Sequence, residues 1–444
     1  MKKLFGTDGI RGVVGKKITP QLAYRTGIAI ASVVKKNTCD RPSIIVATDT
    51  RASSNCLSLS LCVGITSAGA TAINAGTIPT PAVSLLTTEC KADAGIMISA
   101  SHNPHIYNGI KIFDRQGLKL SDELEKRAED IISDHESASL TYDGKYYSSD
   151  MTDIYVSHLL RANDVALRGF RIGIDTANGA SYKSAPLLFK KLCDEVYFIN
   201  DTPNGVNINE NCGSTDVSSL KRLVKEKGLD LGLAFDGDAD RLIAVDENGC
   251  EADGDAILSL CAKSLLMQGK LKGGVVGTVM SNLSLKKYCE SIGVGYAEAA
   301  VGDRNVFLKM SELGYNLGGE QSGHIIFSDF SLAGDGQLSA IKLLEALSLL
   351  DIPLSHVHSS IKKYPQITVN IYADDNQKER ILSSKTVINE YEKSKAALSE
   401  NGKLILRASG TEPLIRIMAE APTNEDAERV ANHLKIIIES EKNK

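Results

Sequence analysis

No run of apolar residues in this chain approaches the roughly 18 that a membrane-spanning helix needs, so no membrane span is expected. Runs of Lys and Arg are missing as well. With a formal net charge of −5 there is no positive field for a polyanionic backbone, and nucleic acid is not expected as a partner. The nine cysteines are odd in number, scattered, and never spaced Cys-x-x-Cys. That pattern suits neither a disulfide framework nor a zinc site, and the thiols read as small hydrophobes. The opening residues reach Gly6 and Asp8 with no apolar stretch, so no signal peptide is expected and a cytoplasmic location follows. Low-complexity linkers are absent too, which predicts domains that pack together.

What is present is an ordinary globular composition, 43% hydrophobic and 24% charged over 444 residues. Single cores stop growing beyond about 300 residues, so three or four domains are expected. Three apolar, β-branched runs end in small polar residues and lead into helical patterns: 43–49, 171–175 and 274–280. Each is followed some 40 to 60 residues on, by a repeat reading, by a second apolar run: 94–98, 229–235 and 315–317. Strands alternating with helices predict βαβ units and largely parallel sheets, with ligands bound beyond the carboxyl ends of strands. Helix starts are expected at Thr19-Pro20 and at Ser121 before Asp122 and Glu123, and Thr423 with Asp426 predicts a last helix over 427–439. Joints are expected around 151–161, near Asp253 and around 372–378.

The residues after the second runs carry the chemistry. Asp236, Asp238 and Asp240 alternate, offering three carboxylates to one divalent cation, and magnesium suits such hard oxygen ligands. Zinc would want His or Cys, which this loop lacks. A calcium loop counted from Asp236 would place Glu247 twelfth, but Arg241 stands sixth, where that turn needs glycine. An acidic surface turn is the bland alternative, although three adjacent aspartates repel one another without a cation. Magnesium completes its shell with water and phosphate oxygens, and a phosphate on Ser101 would supply one. Ser101 lies in Ser99-Ala100-Ser101-His102-Asn103-Pro104, where Asn103-Pro104 predicts an exposed turn; an ordinary loop serine is the alternative.

Two further loops suit a phosphorylated polyol. Arg407-Ala408-Ser409-Gly410-Thr411-Glu412-Pro413, closed by Arg416, combines hydroxyls, a flexible backbone and two guanidiniums able to grip phosphate. Gly318-Gly319-Glu320-Gln321-Ser322-Gly323-His324 sets a carboxylate, an amide and a hydroxyl among glycines that admit close approach to sugar hydroxyls. Read alone, the first has a glycine-containing turn with surface arginines as its alternative, the second is equally a glycine-rich structural turn, and His324 alone is more often a satisfied or surface histidine.

Taken together, and with Phe5-Gly6-Thr7-Asp8-Gly9-Ile10-Arg11-Gly12, these segments resemble the α-D-phosphohexomutase family over nearly the whole chain. The resemblance implies an α/β fold of three related mixed-sheet domains plus a smaller C-terminal α+β domain around a central cleft. By it the segments 1–155, 156–253, 254–367 and 368–444 are a phosphoserine domain, a magnesium-binding domain, a sugar-recognition domain and a phosphate-binding domain. Ser101 is implied as the phosphoserine, joined by Asp236, Asp238 and Asp240 on one Mg²⁺. Arg11, Lys111 and His324 are implied around the transferring phosphate in electrostatic and proton-transfer roles, with His102 and Arg241 assisting. Gly319, Glu320 and Ser322 are implied at the sugar, and Arg407, Ser409, Gly410, Thr411 and Arg416 at its resident phosphate. Residues 320–324 and 233–248 are most similar to the branch that interconverts glucosamine 6-phosphate and glucosamine 1-phosphate, whereas Tyr107 and Thr176 depart from that branch. The implied partners are a hexosamine phosphate, a sugar 1,6-bisphosphate activator and, in a homodimer, a second copy. A glucose or mannose phosphate mutase, or a phosphosugar-binding protein without turnover, are the alternatives.

Overall fold

The computed structural model describes residues 4–6, 8–35, 41–134, 140–409 and 413–442. Two compact units result, one of Met1–Thr278 with Val294–Val357 and one of Val279–Gly293 with His358–Lys444.

The first unit holds three mixed sheets. In chain order their strands are β1 (Ile10–Val13), β2 (Ser43–Thr48), β3 (Thr71–Thr77), β4 (Ala94–Ile98), β5 (Tyr107–Asp114) and β6 (Lys145–Ser148); β7 (Arg171–Asp175), β8 (Glu195–Ile199), β9 (Leu231–Phe235), β10 (Leu242–Asp246) and β11 (Glu251–Ala252); and β12 (Gly274–Thr278), β13 (Gly295–Ala299), β14 (Leu317–Gly319) and β15 (Ile325–Phe327). The sheet orders are β1-β5-β4-β2-β3-β6, β11-β10-β9-β7-β8 and β13-β12-β14-β15.

A four-strand kernel recurs in all three: β5-β4-β2-β3, β10-β9-β7-β8 and β15-β14-β12-β13. In each, the first two strands run antiparallel and the other pairs parallel. The repeat read from the sequence is therefore a repeat of topology. Its expected central runs appear as β2, β7 and β12. The third partner strand begins two residues later than expected, at Leu317. The antiparallel return strand makes the sheets mixed, where βαβ alternation alone predicts parallel ones. Strands β4, β9, β10 and β12 are buried along their whole length, which is why their sequences are apolar runs without alternation.

Helix starts follow their caps. The Thr19 hydroxyl accepts from Leu22 N at 3.1 Å before the helix Pro20–Lys35, and Ser121 Oγ accepts from Leu124 N before Asp122–Ser133. Helices Pro20–Lys35 and Ser54–Ser67 cross at glycine: a Cβ on Gly64 would lie 2.0 Å from Tyr24 O, and one on Gly27 2.2 Å from Leu61 O.

In the second unit the antiparallel sheet runs β16-β18-β17, with β16 at Gln366–Tyr372, β17 at Lys403–Ala408 and β18 at Leu414–Glu420. Helices Lys385–Leu398 and Asn424–Lys442 accompany it, their Val387, Leu434 and Ile438 packing with Ile415 and Ile417 into an α+β core. The last helix runs beyond the expected 427–439, with Asp426 N donating to Thr423 Oγ1 at 3.2 Å. Among the described residues no helix is long and apolar enough to cross a membrane.

Candidate active site

The three chemistry-bearing loops of the first unit occupy one place in the repeat. Residues 99–106 join β4 to β5, residues 236–241 join β9 to β10, and residues 320–324 join β14 to β15. Each loop thus leaves the carboxyl end of a buried strand and turns back on its antiparallel neighbour.

The second loop brings Asp236, Asp238 and Asp240 together. All three are buried, and one oxygen from each lies within 4.8 Å of the others. One backbone bond and one to a side chain close the turn, Ala239 N donating to Asp236 O and Arg241 N to Asp236 Oδ1, with Ala239 at a φ of +56°. Asp236 is pushed well above the usual carboxylate range by burial and then by Asp240 and Asp238. For Asp238 and Asp240 burial acts the same way and is the largest single effect, but Lys111 with Thr80 at Asp238, and Lys111 with His324 and Arg241 at Asp240, together hold both low. Oδ1 of Asp238 and of Asp240 are buried and accept no hydrogen bond from the described residues. Two orphaned carboxylate oxygens beside a third carboxylate are the donor set a hard divalent cation takes, so the residues fit magnesium.

Ser101 meets this cluster. Its Oγ donates to Asp236 Oδ2 at 2.6 Å and lies 3.3 Å from His102 Nδ1. The exposed turn expected for Ser101 is a correction: the residue is on a turn, with φ +53°, but fully buried. Turn chemistry reports backbone shape and says nothing of the neighbouring sheet whose aspartates cover this one. Burial, then Arg241 and Arg11, push His102 down to about 4, so it is neutral near pH 7.

Cations line the same place. Lys111, on β5 and 1% exposed, puts Nζ 2.7 Å from Asp238 Oδ2, 3.2 Å from Asp240 Oδ2 and 3.3 Å from Asp8 Oδ2. Burial opposes its charge, and the two aspartates raise its pKa regardless. Arg11, on β1, pairs with Asp8, while its Nε is buried without a hydrogen-bond partner among the described residues; Nε of Arg241 likewise makes no hydrogen bond and lies 3.8 Å from Asp240 Oδ1. Orphaned guanidinium nitrogens suit an anion as orphaned carboxylate oxygens suit a cation.

The third loop contributes His324, buried with Nδ1 3.7 Å from Asp240 Oδ2 and Nε2 accepting from Gly334 N at 3.1 Å. Accepting at Nε2, the neutral imidazole carries its proton on Nδ1, toward Asp240. Burial lowers its pKa, but Asp240 and then Asp303 and Glu320 raise it. Glu320 accepts from Gly302 N at 2.9 Å and from the Ser322 hydroxyl at 3.3 Å, and buried Gly319 precedes it at the end of β14.

Arg407 and Arg416 belong to the second unit and stand directly opposite each other on β17 and β18. Like charges so paired destabilise a sheet unless an anion joins them. Ser409 is buried and donates its N–H to Leu414 O. Gly410 and Thr411, also expected at the phosphate, lie outside the described residues.

Sequence reading passed over several partners. Asp303 accepts Lys119 at 2.6 Å and faces His324; burial would raise it, but Lys119 and His324 hold it at about 2. Thr80 donates its hydroxyl to Asp238 Oδ2. Asp8 was the one with a signal, since it sits in the opening signature beside Arg11.

Comparison with known proteins matches residues 2–139, 153–249 and 253–364 to the phosphoglucomutase/phosphomannomutase alpha/beta/alpha domains I, II and III, and residues 369–435 to the C-terminal domain. The chain is 43% identical to the phosphoglucosamine mutase of Alkaliphilus oremlandii (strain OhILAs), covering 100% of both chains. Among solved structures, a phosphoglucomutase/phosphomannomutase family protein from Burkholderia thailandensis has a TM-score of 0.86 at 23% identity, covering 100% of this chain and 98% of that one. Aspergillus fumigatus N-acetylphosphoglucosamine mutase, in complex with GlcNAc-6P and magnesium, has a TM-score of 0.71 at 18% identity, covering 99% and 96%.

Proposed function

We propose that this chain, which belongs to the phosphoglucomutase/phosphomannomutase family, is a phosphosugar mutase that interconverts glucosamine 6-phosphate and glucosamine 1-phosphate through a phosphate carried on Ser101. The observation that carries the chemistry is the Ser101 hydroxyl held 2.6 Å from Asp236 within a buried aspartate triad. The sugar rests on full-length similarity to phosphoglucosamine mutases.

Asp236, Asp238 and Asp240, with a Ser101 phosphate oxygen, would hold Mg²⁺. When bound, that ion withdraws negative charge from the transferring phosphoryl group. Arg11, Lys111 and Arg241 add fixed positive charge around the same group, so positioning and charge neutralisation supply most of the acceleration. In the first transfer a sugar hydroxyl oxygen bonds to phosphorus as the bond to Ser101 Oγ breaks, and the hydroxyl proton ends on the departing Oγ. The resulting sugar 1,6-bisphosphate then presents its other phosphate, Ser101 Oγ bonds to that phosphorus as the bond to the sugar oxygen breaks, and the serine proton passes by way of His102, neutral at physiological pH, to the departing sugar oxygen. His324, with its proton on Nδ1, steadies Asp240. A dephosphorylated Ser101 cannot start a cycle, so sugar 1,6-bisphosphate serves as activator.

Arg407, Ser409, Gly410, Thr411 and Arg416 hold the resident phosphate, and Gly319, Glu320 and Ser322 meet the sugar. The segments 1–155, 156–253, 254–367 and 368–444 accordingly divide phosphoserine, metal, sugar and phosphate among four domains, in a cytoplasmic enzyme.

The test is kcat/KM measured side by side for glucosamine 6-phosphate, glucose 6-phosphate and mannose 6-phosphate, with inorganic phosphate followed in parallel. A clear preference for glucosamine 6-phosphate without stoichiometric phosphate release supports the reading. Preference for a neutral hexose phosphate would overturn the sugar, and release matching consumption would make the protein a phosphatase.

A further inference from the structure

The loop that presents Ser101 is gripped by two side chains that reach it from different sheets. Arg51 lies just past β2. It is fully buried; its Nε donates to Asp49 Oδ2 at 2.8 Å, and its remaining donors reach three carbonyls of the serine loop. Nη2 donates to Ser101 O at 2.8 Å and to Asn103 O at 2.8 Å, and Nη1 donates to Pro104 O at 2.6 Å. From the segment between β8 and β9, Asn209 Nδ2 donates to two of the same carbonyls, Ser101 O at 2.9 Å and Asn103 O at 3.1 Å. The approach leaves no room for more: a Cβ on Gly237 would lie 2.7 Å from both Ser101 O and Asn209 Nδ2.

The grip has something to oppose. Ser101 sits at φ +53°, a left-handed conformation that the Cβ of a non-glycine residue disfavours. A guanidinium fork locked by Asp49 is a rigid donor, and Asp49 is itself fixed by Arg51 N at 3.0 Å and Ser54 Oγ at 2.9 Å. Asn209, by contrast, lies in a connection between two strands of the sheet whose β9–β10 loop carries the aspartate triad. Its bonds index the serine loop to the metal loop directly, across the junction of two α/β sheets.

We propose that Arg51 and Asn209 form a two-sided clamp of positioning residues that holds Ser101 in its left-handed conformation and sets its Oγ against Asp236. Neither side chain touches the substrate. Arg51 fixes the loop to the sheet it grows from, and Asn209 registers it against the sheet it reacts with. Loss of the Asn209 donor lets the loop relax away from the triad, so phosphoryl uptake and return slow while the resident phosphate of the sugar is held as before. This inference rests on the reading of Ser101 as the phosphoryl carrier.

Its test is the rate at which full-length protein, freed of phosphate, gains about 80 Da from a sugar 1,6-bisphosphate, followed by intact mass. Wild type is compared with Asn209→Ala, the isosteric non-donor Asn209→Asp, and Arg51→Lys. The clamp predicts uptake slowed at least about tenfold in Asn209→Ala and Asn209→Asp, the fall lying in kcat with KM for the sugar phosphate within about twofold. For Arg51→Lys it predicts a similar fall with the charge toward Asp49 kept. Uptake at the wild-type rate in folded Asn209→Ala and Asn209→Asp would overturn the clamp. No gain of mass in wild type would instead defeat the reading of Ser101 on which it rests.

Discussion

Ser101 and Asp236 are 135 residues apart in the chain and share a hydrogen bond of 2.6 Å. Asp238 Oδ1 and Asp240 Oδ1 are buried and accept no hydrogen bond from the described residues, Asp240 Oδ1 having only Arg241 Nε at 3.8 Å. Such groups cost about 1–3 kcal/mol each, a cost a bound cation removes. Asp238→Ala is therefore expected to reduce mutase activity at least about a hundredfold while leaving a folded protein. Circular dichroism checks the fold and a coupled assay the rate. Chelation should silence the wild type, and added magnesium should restore it but leave the variant inactive; full activity after chelation would contradict a magnesium role. The triad was legible as residues because three alternating aspartates have few structural uses. Lys119, Asp303 and Thr80 were not, since a lone lysine, acid or threonine carries no spacing signal and takes meaning only from what lies across from it.

At the scale of elements, strand runs and caps were readable where local chemistry decides them. Thr19 and Ser121 cap their helices as their types predict, and strands β4 and β9 are apolar because both faces are covered. The antiparallel return of β5, β10 and β15 was not legible, because short apolar runs do not announce their direction. Ser101's burial was likewise hidden, being imposed by another sheet. Helix crossings give one prediction here. Gly64→Ala places a methyl 2.0 Å from Tyr24 O; this overpacking should cost about 1–3 kcal/mol or more and lower the apparent Tm by several degrees. An unchanged Tm would refute that crossing.

A second prediction at this scale concerns Asp335, which caps the helix Gly336–Leu350 and accepts the Tyr155 hydroxyl at 2.8 Å. Burial raises its carboxyl from 3.8 to about 6. A raised carboxyl binds its proton more tightly folded than unfolded, so its contribution is present at low pH and lost as pH rises from about 4 to about 6. Asp335→Asn removes that titration. Across this window the variant should gain on the wild type by on the order of 2–3 kcal/mol, read as a widening gap in denaturant midpoint. A gap that is constant with pH would contradict the assignment.

For the whole molecule, one α/β kernel is used three times in the first unit, and its β4–β5, β9–β10 and β14–β15 connections carry the serine, the aspartate triad and a histidine. That equivalence explains why a site can be assembled from residues over 200 positions apart: Ser101 and His324 leave the same end of the same kind of strand. The repeat was visible in sequence as recurring apolar runs, whereas the pairing of loops across sheets was not. The central claim is that these loops transfer a phosphoryl group between sugar positions through Ser101. It is tested most directly by ³¹P NMR of glucosamine 6-phosphate incubated with the protein, magnesium and a trace of sugar 1,6-bisphosphate. The account predicts a growing glucosamine 1-phosphate resonance, no matching inorganic phosphate, and no conversion by Ser101→Ala; undiminished conversion by that variant would contradict it.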